Sequence, residues 1–323
     1  MSIVYFRFAS RRVDHAQRSP LLERLVARAA VSMRVADWRA EAFRILAPQA
    51  HGVPAAGVAA FLVGVGASAK EGGGDLRTGA WVCMATPVHL VAGMTSVRMP
   101  PDGVLELTPA EASALCSEFN RGFAGAGVSL VATDDACLVC VFNKTLDVAT
   151  HDPEAVQGHD VFAFQPSGTD AAPLRRFMSE IEMWLHPHEL NHARCRDLLP
   201  PITGLWLWGG GAAEKALPPV QGWTAGRDPL FSAFGAESRW PPTPRSGVVV
   251  CADAPGASGW PEVEERWLAP AAAALRTGAI ERLDLAAGTR RFSVRKGFDW
   301  RLWRRTRPWW ESFDEPNDNE RPE

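Results

Sequence analysis

The sequence holds a single tyrosine among 323 residues and no histidine after position 192. The second absence matters more. A site built on two divalent cations needs several imidazoles and carboxylates converging on metals about 4 Å apart. The last 131 residues can offer no imidazole to one. A charge excess of one sign is also missing. The formal net charge of −3 argues against nucleic acid, or an anionic membrane, as the main partner. No apolar run reaches the roughly 20 residues of a membrane span. The most apolar stretch, VPAAGVAAFLVGVGA at 53–67, is short and broken by glycines. The opening MSIVYFRFASRRVDH reads as a strand and a charged loop, not as a secretory signal, so the cytoplasm is the expected location. The six cysteines, at 83, 116, 137, 140, 195 and 251, show no framework spacing, which suits reduced thiols. Cys137 and Cys140 have CxxC spacing inside the strand-like run ACLVCVF. Residues i and i+3 of a strand face opposite ways, so these two are expected as separate core thiols.

What is present points to a large α/β protein. The length allows two domains, or one large domain with an insertion. Eleven of the thirteen tryptophans lie between 184 and 310, where they are expected to serve as core aromatics. Residues 19–47 carry apolar positions at helical spacing and predict two short amphipathic helices. AWVCMATPVHL (80–90) predicts a strand leaving into a loop at Pro87. Thr108-Pro109-Ala110-Glu111 is a capping box with proline at the first helical position, so a helix should follow. VSLVAT and ACLVCVF predict a hairpin turning at 133–135. Residues 151–170 read as an ordered loop. A helix is expected from about Pro173, a short one over ELNHARCRDLL, and a buried strand over ITGLWLW. SGVVVCADA predicts a further buried strand, 262–279 a helix closed by Gly278, and ERLDLAAGTRRFSVRK a hairpin. Residues 290–307 hold eight basic side chains and one acid, and read as a solvated surface. The acidic tail 311–323 is expected to be disordered.

The most informative segment is WLHPHELNHARCRDLLPPITGLWLWGGG, 184–211. His188-Glu189-Leu190-Asn191-His192 spells HExxH. On a helix its histidines could share zinc while the glutamate acts as general base. No histidine follows, so a third ligand would have to be a carboxylate such as Glu214. A strand ending in Gly209-Gly210-Gly211 before AAEKAL could turn its amides inward as an anion nest with a helix N-terminus behind it. It is neither a Walker A nor a GxGxxG sequence. Finally, His188, Asn191 and Arg194 are each three residues apart and share one helical face. Arginine offers a fork to an anionic oxygen, asparagine a donor and an acceptor, histidine a switchable donor. The bland alternatives are a polar face in water and glycines that allow close strand–helix packing.

This H-x-x-N-x-x-R segment, followed by Pro201, an apolar strand and a glycine turn, resembles the H-P-x-N-x-x-R…R-G-x-G region of archaeal-type cofactor-independent phosphoglycerate mutases. Trp208 stands where that pattern has arginine, and Glu189 where proline is common. The chain also resembles a proteobacterial phosphoglycerate-mutase-like, RpfE-type regulatory group. That likeness rests on Pro87-Val88-His89-Leu90, on LWLWGGG, and on Trp300-Arg301-Leu302-Trp303-Arg304-Arg305, and spans most of 80–307. The active mutases carry a serine nucleophile beside two metals held by Asp and His from both ends of the chain. This sequence has no Asp-Gly near its start, Asp14 being the first acid.

The resemblance implies an α/β fold with a central, mostly parallel sheet flanked by helices. It would be a degenerate alkaline-phosphatase-like fold with an α+β subdomain. The expected regions are 1–150, 151–310 and the tail 311–323. The expected ligand-binding residues are His188, Asn191, Arg194, Gly209, Gly210 and Gly211, with Trp303, Arg304 and Arg305 able to close the far side. No cofactor, metal or catalytic residue is assigned. The expected partner is a small anionic metabolite, with no nucleic acid and no membrane. The alternatives are a divergent active mutase or phosphatase, and a zinc-dependent hydrolase.

Overall fold

The computed structural model describes residues 2–8, 18–33, 38–49, 80–133, 136–213, 217–235, 237–243, 245–251, 259–288, 290–297 and 305–313. In chain order the elements are β1 (Ile3–Arg7), α1 (Pro20–Arg28), β2 (Ala30–Met33), α2 (Trp38–Leu46), β3 (Trp81–Val88), β4 (Val91–Ala92), β5 (Val97–Arg98), α3 (Pro109–Gly122), β6 (Val128–Ala132), β7 (Leu138–Phe142), α4 (Ala171–Leu185), α5 (Glu189–Arg196), β8 (Gly204–Ala212), β9 (Trp223–Gly226), α6 (Pro229–Ser232), β10 (Gly247–Val250), α7 (Trp260–Val263), α8 (Ala269–Thr277), β11 (Arg282–Ala287), β12 (Arg290–Arg295) and α9 (Trp309–Phe313). Two 3-10 turns, Pro153–Ala155 and Val161–Phe164, interrupt the expected loop at 151–170. A π turn, Glu264–Leu268, joins α7 to α8.

The chain forms two compact units, and they are not the sequential halves expected from the sequence. One comprises 1–51 with 219–323; the other is 52–218. The first unit is discontinuous because its sheet, ordered β2-β12-β11-β1-β10-β9, draws strands from both ends of the chain. The expected central, mostly parallel sheet is here. β1 runs parallel to β10 and β11, and β10 parallel to β9, while β12 and β2 complete one edge in antiparallel fashion. One sheet face is apolar. Phe6, Phe8, Leu283, Leu285, Phe292 and Val294 pack there with Leu22 and Leu25 of α1 and Leu275 of α8. Each such fully buried side chain contributes roughly 1.5–3 kcal/mol. On the other face, the fully buried Asp284 accepts hydrogen bonds from Ser293 Oγ (2.7 Å) and Arg282 Nε (2.9 Å). Burial pushes its carboxyl above the ordinary range, and these partners offset only part of that rise.

The second unit is α+β. Its sheet, β6-β7-β3-β8, is antiparallel throughout. The Thr108 capping box starts α3 as expected: Glu111 N–H donates to Thr108 Oγ1 (3.2 Å), and Thr108 N–H to Glu111 Oε2 (2.8 Å). β3 runs through Pro87 instead of ending there. Proline costs that position only a donor, and Pro87 still pairs in register with Leu205. The hairpin β6–β7 forms, with residues 134–135 of its turn outside the described set. The apolar run 53–67, Trp300–Arg304 and residues 314–323 also lie outside it. The expected tail boundary at 311 falls inside α9, where Phe313 packs 5.8 Å from Phe8. Among the described residues no helix is long and apolar enough to cross a membrane.

Candidate functional site

The H-x-x-N-x-x-R row does lie on one helical face, but that face looks into the protein. His188, Asn191 and Arg194 are 7%, 8% and 4% exposed. His188 is the N-cap of α5, and its Nδ1 accepts the Leu190 N–H at 3.2 Å. An Nδ1 that accepts is unprotonated, so neutral His188 carries its proton on Nε2. That nitrogen lies 3.2 Å from Glu118 Oε2, off hydrogen-bond alignment, and Trp184 packs edge-on against the ring. Asn191 makes three bonds to backbone. Its Nδ2 donates to Leu185 O (2.9 Å) and Ile202 O (2.8 Å), and its Oδ1 accepts the Ile202 N–H (2.8 Å). Arg194 Nε donates to Pro200 O (2.9 Å), and Nη1 to Glu111 Oε1 (2.6 Å). The Pro87–Leu90 element joins the same knot: His89 Nδ1 lies 3.0 Å from Pro201 O, and Leu90 N–H donates to Thr203 Oγ1 (2.7 Å). The row therefore staples the α4–α5–β8 connection.

The HExxH pairing of the zinc alternative is not assembled. His188 faces Glu118 and caps the helix, His192 is exposed, and Glu214 lies outside the described residues. Among the described residues no group of three or more His, Cys, Asp or Glu is placed to hold a metal ion.

Gly209–Gly211 form part of β8, not a turn beyond it. The register with β3 skips from Val82↔Gly211 to Met84↔Trp208, so Gly209 and Gly210 together oppose Cys83 as a β-bulge. Gly209 takes φ +62°, the left-handed value such a bulge uses. A Cβ on Gly210 would sit 1.9 Å from the Trp81 ring. The glycines are there to fit a bulge and an indole. They also lie far from the staple. Asn191 grips Ile202, and seven extended residues separate that point from Gly209, on the order of 20 Å. Imidazole, amide and guanidinium do not converge with a glycine nest. Trp206 and Trp208 are core residues, as expected, with their indole N–H groups bonded to His151 O and Thr86 Oγ1.

Sequence reasoning did not find the crevice at the carboxyl ends of β9 and β10 in the first unit. It encloses about 450 Å³. Val249, Val250 and Trp267 give it apolar walls, and Arg227, Arg266 and Glu262 give it charge. Trp267 is held by stacking on Trp223 at 5.7 Å. Arg266 pairs with Glu262 at 2.5 Å, but both are well exposed, and such a pair is worth little. Among the described residues Arg227 has no carboxylate partner. The neighbouring Asp228 is fully engaged: Oδ1 accepts the Leu230 and Phe231 N–H groups that open α6, and Oδ2 faces Arg39 Nε at 2.9 Å. The described donors at this edge do not fit a pair of divalent ions, since Asp228 is saturated and Glu262 is one carboxylate. Asp14, His15 and Asp253 lie outside the described residues. A larger cleft of about 1000 Å³ sits at the amino ends of the same strands, lined by Glu41, Arg44, Arg245, Glu281 and Arg282. Two of its charges are already committed, Glu41 to Arg291 and Arg282 to Asp284. Open parallel sheets bind ligands beyond their carboxyl ends, which favours the smaller crevice. A VVVC strand followed by a turn-rich segment was the available sequence signal.

No protein-family model matches the sequence, and no curated protein matches it. Among solved structures, the chain is similar to the cofactor-independent phosphoglycerate mutase of Thermoplasma acidophilum DSM 1728, at 14% identity and a TM-score of 0.37, over 91% of this chain and 89% of that one. It is also similar to the PH0037 protein of Pyrococcus horikoshii, at 13% identity and a TM-score of 0.34, over 92% and 88%. Likenesses this remote assign neither a fold family nor an activity.

Proposed function

We propose that this chain is a phosphoglycerate-mutase-like protein of degenerate alkaline-phosphatase type that binds a small phosphorylated or carboxylated metabolite without two-metal phosphoryl transfer. Its role in this reading is regulatory, as in the RpfE-type group its sequence resembles. The supporting observation is the crevice at the carboxyl ends of β9 and β10, which Arg227 and Arg266 line together with one exposed carboxylate, Glu262, and the apolar Val249, Val250 and Trp267. Its volume falls within the ~300–1,000 Å³ of small-ligand sites. Guanidinium forks match the oxygens of phosphate and carboxylate. In this reading His188, Asn191 and Arg194 hold the second unit together, and the hydrogen bonds they make go to the protein itself.

Thermal unfolding of the full chain with 3-phosphoglycerate tests the proposal. A ligand at 100 times its Kd adds about 2.7 kcal/mol to stability. The rise should vanish in Arg227→Ala/Arg266→Ala and persist in Arg44→Ala/Arg245→Ala at the larger cleft. Isomerisation or phosphate release with added Mn²⁺, abolished by Arg227→Ala/Arg266→Ala, would contradict the non-catalytic reading.

A further inference from the structure

The CxxC spacing directs attention to Cys137 and Cys140, yet the thiol facing Cys140 is Cys83. In the β3–β7 ladder Cys83 and Cys140 are direct register partners. Residues directly opposite in an antiparallel pair share a sheet face, with Cα atoms about 4.5–5.5 Å apart. That separation lies inside the roughly 4.4–6.8 Å window of a disulfide. The two thiols are in hydrogen-bonding contact, and both residues are fully buried. Cys116 of α3 approaches Cys140 from the covering layer. The other neighbour of Cys83 is the β8 bulge, where Gly209 and Gly210 stand opposite it and the ladder loses its register. A bulge leaves one residue unpaired, so the β3–β8 ladder is interrupted opposite Cys83.

We propose that Cys83 and Cys140 are a peroxide-oxidisable dithiol that closes to a cross-strand disulfide, with the Gly209–Gly210 bulge as the point where the sheet opens. In the first step one cysteine, as thiolate, attacks hydrogen peroxide. A sulfur–oxygen bond forms, the oxygen–oxygen bond breaks, and hydroxide leaves and is protonated. In the second step the other sulfur attacks the sulfenic acid, and water leaves with the hydroxyl oxygen. Two thiols and one peroxide become one disulfide and two waters. Peroxide is small enough to enter a transient gap in a strand pair. Burial, reinforced by the contact with Cys140, pushes the Cys83 thiol far above its usual range, and burial pushes Cys116 up to about 12. The closed sheet therefore keeps the pair reduced, and oxidation waits on opening.

The test uses the full chain at neutral pH, treated with hydrogen peroxide, stopped with catalase, alkylated with N-ethylmaleimide in denaturant and digested without reduction. Mass spectrometry should find the Cys83 peptide joined to the Cys140 peptide, lighter by two hydrogens than the sum and separated by dithiothreitol. The same linkage should form in Cys116→Ser. Recovery of Cys83 and Cys140 both alkylated, while the exposed Cys195 is oxidised, would overturn the proposal. So would Cys140 joined to Cys116 in its place. Because the readout is a linkage in the wild-type chain, it does not depend on a cysteine variant folding.

Discussion

The two units put their polar side chains to opposite uses. In the second unit, Asn191, Arg194 and His188 turn inward and bond to backbone, with Arg194 also bonding Glu111 of α3. In the first, the exposed Arg227 and Arg266 line the crevice at the carboxyl ends of β9 and β10 with one carboxylate, Glu262. A polar cluster with ideal spacing for a ligand is thus a staple, and the anion site we propose rests on two arginines with no motif around them. Spacing shows which residues share a face. Whether that face meets solvent depends on what the rest of the chain packs against it.

The contrast can be broken most severely at Asn191. Asn191→Ala leaves the Ile202 carbonyl and N–H buried without partners, while Leu185 O keeps the His188 N–H. At about 1–3 kcal/mol for each unsatisfied group, the loss should be at least about 2 kcal/mol in urea unfolding. A loss below about 0.5 kcal/mol would mean the row is not a staple. Next comes Gly210→Ala, whose methyl must displace the Trp81 ring. A destabilisation of about 1–3 kcal/mol is expected, with a changed tryptophan fluorescence spectrum as the check. An anion nest would give a lost ligand and little change in stability.

Glu111 sharpens the comparison through pH. Burial raises its carboxyl, but the Thr108 N–H, Arg194 and the Thr108 hydroxyl outweigh burial and hold it below its ordinary value of 4.5. A depressed carboxylate contributes stability above its unfolded pKa and loses it as pH falls through the lower, folded value. Wild-type stability should therefore fall more steeply than that of Glu111→Gln as pH drops below about 4.5. Equal acid slopes would remove the Glu111–Arg194 bond from the staple. The smallest effect belongs to the first unit: Arg227→Ala/Arg266→Ala should change unliganded stability by less than about 0.5 kcal/mol, as surface substitutions do.

Short-range chemistry was legible in the sequence. The Thr108 capping box, the hairpin β6–β7 and the Gly278 helix end are written within a few residues, and each forms. β2 and β9 were not legible. Four residues are too few to show an alternation, and their neighbours in the sheet come from distant parts of the chain. The triple glycine misled for the same reason. Glycine usually marks a turn, but Gly210 answers to an indole at position 81. Asn191 misled differently, since all three of its partners are backbone groups, which no side-chain pattern reveals.

The central contrast is tested most directly by calorimetric titration of 3-phosphoglycerate into three proteins: wild type, Arg227→Ala/Arg266→Ala and Arg194→Lys. Binding should weaken at least about tenfold, roughly 1.4 kcal/mol, when the crevice arginines are removed, and stay unchanged in a folded Arg194→Lys. Equal affinity in wild type and the crevice variant, with binding lost in Arg194→Lys, would return the site to the row and contradict the account.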